Sequence, residues 1–286
     1  MTKQTGYCPV HNGELYYEVE GADSSSAIVF IHACICDFSM WDVQMPAFMP
    51  HYRVLRYDQR GHGASRTQDT DYSGTQDLLD LMNHVGMDKA VLIGCSCGGQ
   101  LAMDMALAHP ERVRAVVSVC GGLSGQQTIP GLTEAWMKSD EGKYFMSLEE
   151  LLEAKKFDEV AERETHAWVN GIPQAKDRAP APLYQRVLKT VRANYERKDG
   201  TAKAIAFEPP AAQRLAEVAV PVLFVLGDLD ADETHWIAEV IRTGVPDARH
   251  VVFEDAAHLP NLEQPHRFNK VVLAFLQETL MGEGSR

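Results

Sequence analysis

Apolar residues fall into short dense runs separated by amphipathic stretches, and the two kinds of segment alternate. The runs are "ELYYEVE" (14–20), "AIVFIH" (27–32), "YRVLRY" (52–57), "KAVLIGC" (89–95), "RAVVSVC" (114–120), "VPVLFVLG" (220–227) and "RHVVFE" (249–254). The later ones are nearly all apolar, the pattern of strands covered on both faces. Between them, "TQDLLDLMNHVGM" (75–87), "GGQLAMDMALAHPERV" (98–113), "DETHWIAEVIRTG" (232–244) and "HRFNKVVLAFLQETLM" (266–281) carry apolar residues at helical spacing. This alternation predicts an α/β fold with a mostly parallel central sheet and helices on both faces.

From residue 123 to 219 the rhythm changes. The chain becomes helical and charged, as in "SLEELLEAKKFDEVAERETHAWVNG" and "LYQRVLKTVRANYERK", with "APAPL" between them. A helical cap over residues 123–219, inserted into a core made of residues 1–122 and 220–286, accounts for this. No internal repeat or low-complexity tract interrupts the chain.

Composition narrows the partners. Acidic residues outnumber basic ones 40 to 27 among 286 residues, a formal charge of −13. Such a surface disfavours nucleic-acid phosphates and anionic lipid, so neither nucleic acid nor membrane is expected as a partner. The first residues, "MTKQTGYCPVHNGELYYEVEG", lack the order of a signal peptide, and no apolar run approaches a membrane span. A cytoplasmic location is therefore expected, with the six cysteines reduced.

One segment carries candidate chemistry. "VLIGCSCGG" runs from an apolar strand into a helical pattern, the context in which G-x-S-x-G is a nucleophile elbow. Register selects among its three nucleophilic side chains. Cys95 would want glycines at 93 and 97, and Cys97 at 95 and 99; Ser96 alone has both, at Gly94 and Gly98.

In four segments the chain resembles the α/β-hydrolase fold family, over nearly its whole length and in the family's order. "FIHACICDFSMWDVQ" is similar to the family's His-Gly loop, with its frequent Trp-Asp pair at Trp41 and Asp42. "RVLRYDQRGHGAS" matches Asp-x-Arg-Gly-x-Gly-x-Ser through Asp58, Arg60, Gly61, Gly63 and Ser65. "VLFVLGDLDADE" resembles the strand that ends in the acid, and "EDAAHLPNLEQPHRFN" the loop that carries the histidine. Within the family the nearest likeness is to small esterases and lactonases, including 3-oxoadipate enol-lactonases.

The resemblance implies a Ser96–His258–Asp230 triad, with Asp228 bonding the turn backbone instead. It makes His32 structural and leaves His62, His235 and His266 without a claim to the base. The oxyanion donors it implies are the backbone N–H groups of Cys97 and Cys34, although Ala33 stands where the family has glycine. The fold would bring Cys34, Cys36, Cys95 and Cys97 to one pocket. They would serve as small apolar side chains lining it, with a Cys34–Cys97 disulfide or a thiolate metal site as alternatives. Cys8 and Cys120 read as packing residues. Trp168 either faces the substrate or packs the cap.

The activity this implies is cleavage of a carboxylic ester or lactone, a small-molecule substrate, through an acyl-enzyme. Neither metal nor organic cofactor is called for. The alternatives are a C–C bond hydrolase or a cofactor-free perhydrolase on the same triad, and a noncatalytic small-molecule receptor.

Overall fold

The computed structural model describes residues 3–22, 26–129, 131–197 and 202–283. Nine strands among them form one sheet: β1 (Gln4–Val10), β2 (Gly13–Gly21), β3 (Ala27–Ile31), β4 (Arg53–Tyr57), β5 (Arg66–Thr67), β6 (Ala90–Cys95), β7 (Val113–Val119), β8 (Val222–Gly227) and β9 (Ala248–Phe253). They lie in the order β1-β2-β4-β3-β6-β7-β8-β9, with β5 paired to β2. From β4 to β9 every pairing is parallel, whereas β1, β2 and β5 join antiparallel at one end. The expected α/β-hydrolase fold is therefore present.

The seven strands expected from the pattern are all there. β1 escaped notice because its sequence, QTGYCPV, lies at an edge with mostly exposed residues and buries only Cys8. At the other extreme, β3, β6 and β8 are buried along their full length. Their alternate residues feed two apolar layers, Val29, Ile31 and Leu92 on one side and Ile28, Phe30, Val91 and Ile93 on the other.

The helices are α1 (Met45–Phe48), α2 (Gly74–His84), α3 (Cys97–Ala108), α4 (Leu132–Lys138), α5 (Asp140–Glu153), α6 (Phe157–Thr165), α7 (Ala181–Tyr195), α8 (Asp232–Gly244), α9 (Pro260–Glu263) and α10 (Pro265–Glu283). Two end earlier than the apolar pattern suggested. α2 stops before Gly86, which takes a φ of +66°, and α3 stops at Ala108 because Pro110 disfavours helix in the residue before it. Helices α4 to α7 occupy the charged interval between β7 and β8. Its end belongs to the core, for Ala211, Leu215 and Val218 are buried in the same cluster as Val222 and Ile241. No helix among the described residues is long and apolar enough to cross a membrane.

In a parallel sheet the loops beyond the carboxyl ends of the strands gather along one edge. That edge receives Cys34 after β3, Ser96 after β6, Asp230 after β8 and His258 after β9.

Candidate active site

Ser96 sits in the turn between β6 and α3 with φ 55° and ψ −120°. A residue with a β-carbon takes a left-handed φ only when its surroundings impose it. Here its N–H donates to Val119 O at 2.9 Å, and its carbonyl accepts from Gln100 at 3.0 Å and from Gly122 at 3.1 Å. The two flanking glycines make this backbone path possible. A β-carbon on Gly94 would lie 2.0 Å from Gly98 O, and one on Gly98 would lie 2.4 Å from Ile31 O. The side chain of Ser96 is half-buried.

The structure joins His258 to Asp230. Nδ1 of the imidazole lies 2.9 Å from both carboxylate oxygens, with both side chains almost fully buried. One of those oxygens also accepts from the Ala231 N–H at 2.7 Å. The other ring nitrogen, Nε2, is buried without a hydrogen-bond partner among the described residues. Two thiols flank this pair: Cys95 Sγ lies 3.8 Å from His258 O, and Cys120 Sγ lies 3.9 Å from Ala257 O. Burial pushes both thiols well above their ordinary range. Cys120, Asp230 and His258 place potential metal-ligand atoms within 4.8 Å of one another. The Asp230–His258 hydrogen bonds already occupy Nδ1, and a neutral buried thiol is a poor ligand, so the donor set does not suit an ion.

Asp228 accepts from the Ala256 N–H at 3.3 Å, as a residue bracing the turn should. The loop holding Asp230 is also braced from a distance. Glu141 on α5 is buried and accepts from Asp232 N at 2.6 Å and Glu233 N at 3.3 Å, satisfying free amides at the start of α8. Arg178 pairs with Glu263, whose other oxygen accepts from Ala257 N at 2.8 Å, next to His258. Neither support was legible in sequence, because each joins positions far apart in the chain.

The loop after β3 lies against the start of α3, to which the Cys34–Cys97 bond ties it. His32 is fully buried, with Nδ1 2.8 Å from Ala33 O and Nε2 accepting from Gln59 N at 2.9 Å. Burial is the main reason that its pKa falls to about 3, which keeps the ring neutral and structural. Ala33 fits where a glycine was expected, for it does not take a left-handed φ; its N–H points at Met40 Sδ, 3.3 Å away. His62, set aside in the sequence, places Nε2 2.9 Å from Cys34 O and so braces the same loop. Cys97 opens α3, where the first amides have no partner within the helix.

The cysteines depart from expectation. Cys34 and Cys97 form a disulfide across a sequence separation of 63 residues, instead of standing reduced in the pocket. That bond takes both sulfurs out of the four-thiolate metal alternative. Composition speaks to the average redox surroundings, whereas pairing depends on which two sulfurs the fold brings together. Cys8, Cys36, Cys95 and Cys120 are free and buried.

Trp168 lies in the single π-helical turn His166–Asn170. Its ring centroid is 4.2 Å from that of His258 and 4.9 Å from that of Phe145. Its carbonyl accepts from the His258 N–H at 3.2 Å.

Comparison with known proteins places the chain in a wider group. The model of the alpha/beta hydrolase family matches residues 28–271. The 3-oxoadipate enol-lactonase 1 of Acinetobacter baylyi is 26% identical, the alignment covering 92% of this chain and 93% of that protein. A pimeloyl-[acyl-carrier protein] methyl ester esterase of Pectobacterium carotovorum is 28% identical, over 92% of this chain and 98% of that protein. Among solved structures, the enol-lactonase of Burkholderia xenovorans superposes with a TM-score of 0.69 at 24% identity, over 95% of this chain and 100% of that one.

Proposed function

The chain belongs to the alpha/beta hydrolase family, and on that premise we propose that it is a carboxylic ester hydrolase of the esterase or lactonase type, working through an acyl-enzyme. Ser96 is the nucleophile, His258 the general base and Asp230 the acid that orients it. The observation that carries this reading is the His258 ring, fixed by Asp230 at Nδ1 with a buried Nε2 that bonds no group among the described residues.

With Nδ1–H donating to Asp230, the lone pair lies on Nε2. It takes the Ser96 proton as Oγ attacks the ester carbonyl. The oxygen of the tetrahedral intermediate becomes an anion, and in this reading the N–H groups of Cys97 and Cys34 donate to it. His258 then passes the proton to the leaving alkoxide, which departs as alcohol. A water repeats the sequence on the acyl-Ser96 ester, releasing the acid and restoring the serine. Helices α4 to α7 act as the cap over this site, and the cap's Trp168 lies against the base. The substrate is a small-molecule ester or lactone; the curated relatives named for enol-lactones and methyl esters support that class.

A panel of p-nitrophenyl esters and lactones, assayed with Ser96→Ala as control, tests this. The expected result is turnover by the native chain and a loss of roughly four orders of magnitude or more in kcat for the variant. Retention of most of the activity in Ser96→Ala would exclude the acyl-enzyme. Binding without turnover by the native chain would favour the receptor alternative.

A further inference from the structure

A cavity of about 630 Å³ opens beside the candidate active site, and neither Ser96 nor His258 lines it. Its lining includes Cys34 and Cys97, joined by the disulfide, and Gln100 and Asp104 further along the helix that Cys97 opens. Gln100 and Asp104 are four residues apart on one face of α3, and Ser96 is the residue just before that helix. Seven residues separate Cys97, the first of α3, from Asp104, roughly 10 Å of helical rise.

The polar groups around this cavity are unevenly committed. Asp104 is 5% exposed; one carboxylate oxygen accepts from the Ser124 hydroxyl, and the other makes no hydrogen bond among the described residues. The Gln100 side chain likewise has no hydrogen-bond partner among them, although it lines the cavity. The arginine that lines the cavity among the described residues is already engaged: Arg60 pairs with Asp77 through two nitrogens and donates to the carbonyls of His11 and Asn12. Glu208 adds a second carboxylate to the lining. Burial pushes the Asp104 carboxyl up to about 6, so a nearby cation would relieve a real electrostatic cost.

From this placement we propose that the cavity is a subsite for a cationic nitrogen on the substrate's acyl chain, read by Asp104 at a distance of about six atoms from the carbonyl. The inference rests on the acyl-enzyme reading above for its link to Ser96. The distribution of charge favours an ammonium over a neutral group and disfavours a terminal carboxylate, because among the described residues no uncommitted arginine or lysine lines the cavity.

Three p-nitrophenyl esters of similar length test the proposal: 6-(trimethylammonio)hexanoate, its neutral isostere 7,7-dimethyloctanoate, and the monoester of adipate. The expected order of kcat/KM is cation over neutral over anion, with about tenfold between the first two, the scale of one contact to a buried charge. Asp104→Asn keeps the shape and the acceptor for Ser124, and should bring the three esters to within about twofold. Hydrolysis of p-nitrophenyl acetate, too short to reach Asp104, should stay unchanged in the variant. Equal rates in the native chain, or a cation preference that survives Asp104→Asn, would overturn the subsite. Calorimetric titration with hexyltrimethylammonium separates this from failure of the hydrolase reading. Binding that Asp104→Asn abolishes supports a cation site even in a chain that hydrolyses nothing, and absence of binding overturns it.

Discussion

The disulfide joins the two segments whose amides would hold the oxyanion, and breaking it makes the sharpest test of how that site is built. Closing a loop of 63 residues restricts the unfolded chain, and chain-entropy arithmetic for a loop of that length gives about 4 kcal/mol. A chain of 286 residues unfolds with an entropy of roughly 0.6 kcal/mol/K. Dividing one by the other predicts a fall in Tm of about 7 °C when the bond is lost. The assay is differential scanning calorimetry with and without a phosphine reductant, on the native chain and on the Cys34→Ala/Cys97→Ala double variant. Thiol titration under denaturing conditions should find four free cysteines before reduction and six after, since Cys8, Cys36, Cys95 and Cys120 are free. The double variant should start at the lower Tm and ignore the reductant. Activity should fall alongside, by about tenfold in kcat, well short of the 10²–10³ that follows complete loss of an oxyanion donor. Alkylation without reductant should leave activity intact, because Cys34 and Cys97 offer no thiol and the other four are buried. If reduction releases two further thiols yet moves neither Tm nor kcat, the idea of the bond as a clamp on these loops is wrong.

Three other perturbations have worked-out directions. Gly98→Ala sets a β-carbon 2.4 Å from the Ile31 carbonyl and should cost about 3 kcal/mol or more, read as insoluble protein or a steep loss of Tm; Gly74→Ala, whose nearest contact is a movable Leu101 methyl at 3.3 Å, should be mild. Trp168→Ala removes the ring lying 4.2 Å from His258 and should lower kcat about tenfold, with Trp168→Phe restoring most of it; equal kcat in all three proteins would deny the tryptophan a positioning role. Asp104 has its folded pKa raised from 3.8 to about 6, so the folded state holds the extra proton between those values. Its stabilising contribution is then complete below pH 4 and lost as pH rises through 6. Asp104→Asn should therefore gain about 2 kcal/mol on the native chain between pH 4 and pH 8 in denaturant melts, and parallel stability curves would contradict the assigned shift.

What the sequence determined by itself was whatever depends on local pattern. Strands buried on both faces, such as β6 and β8, must be apolar throughout, and helices with one buried face must repeat it every turn, so seven strands could be read together with α2, α3, α8 and α10, whereas β1, the two-residue β5 and the four-residue α1 could not. The elbow was legible for a similar reason: the left-handed φ of Ser96 needs glycine at two fixed offsets, and the register of Gly94 and Gly98 named the serine between two cysteines. Tertiary structure decided what depends on meetings between distant segments. It bonded Cys34 to Cys97, brought Glu141 to the start of α8, and laid Trp168 on His258. It also opened the cavity beside Asp104. A helix position advertises its face, but the chain's pattern carries no record of which residue another segment will set against that face.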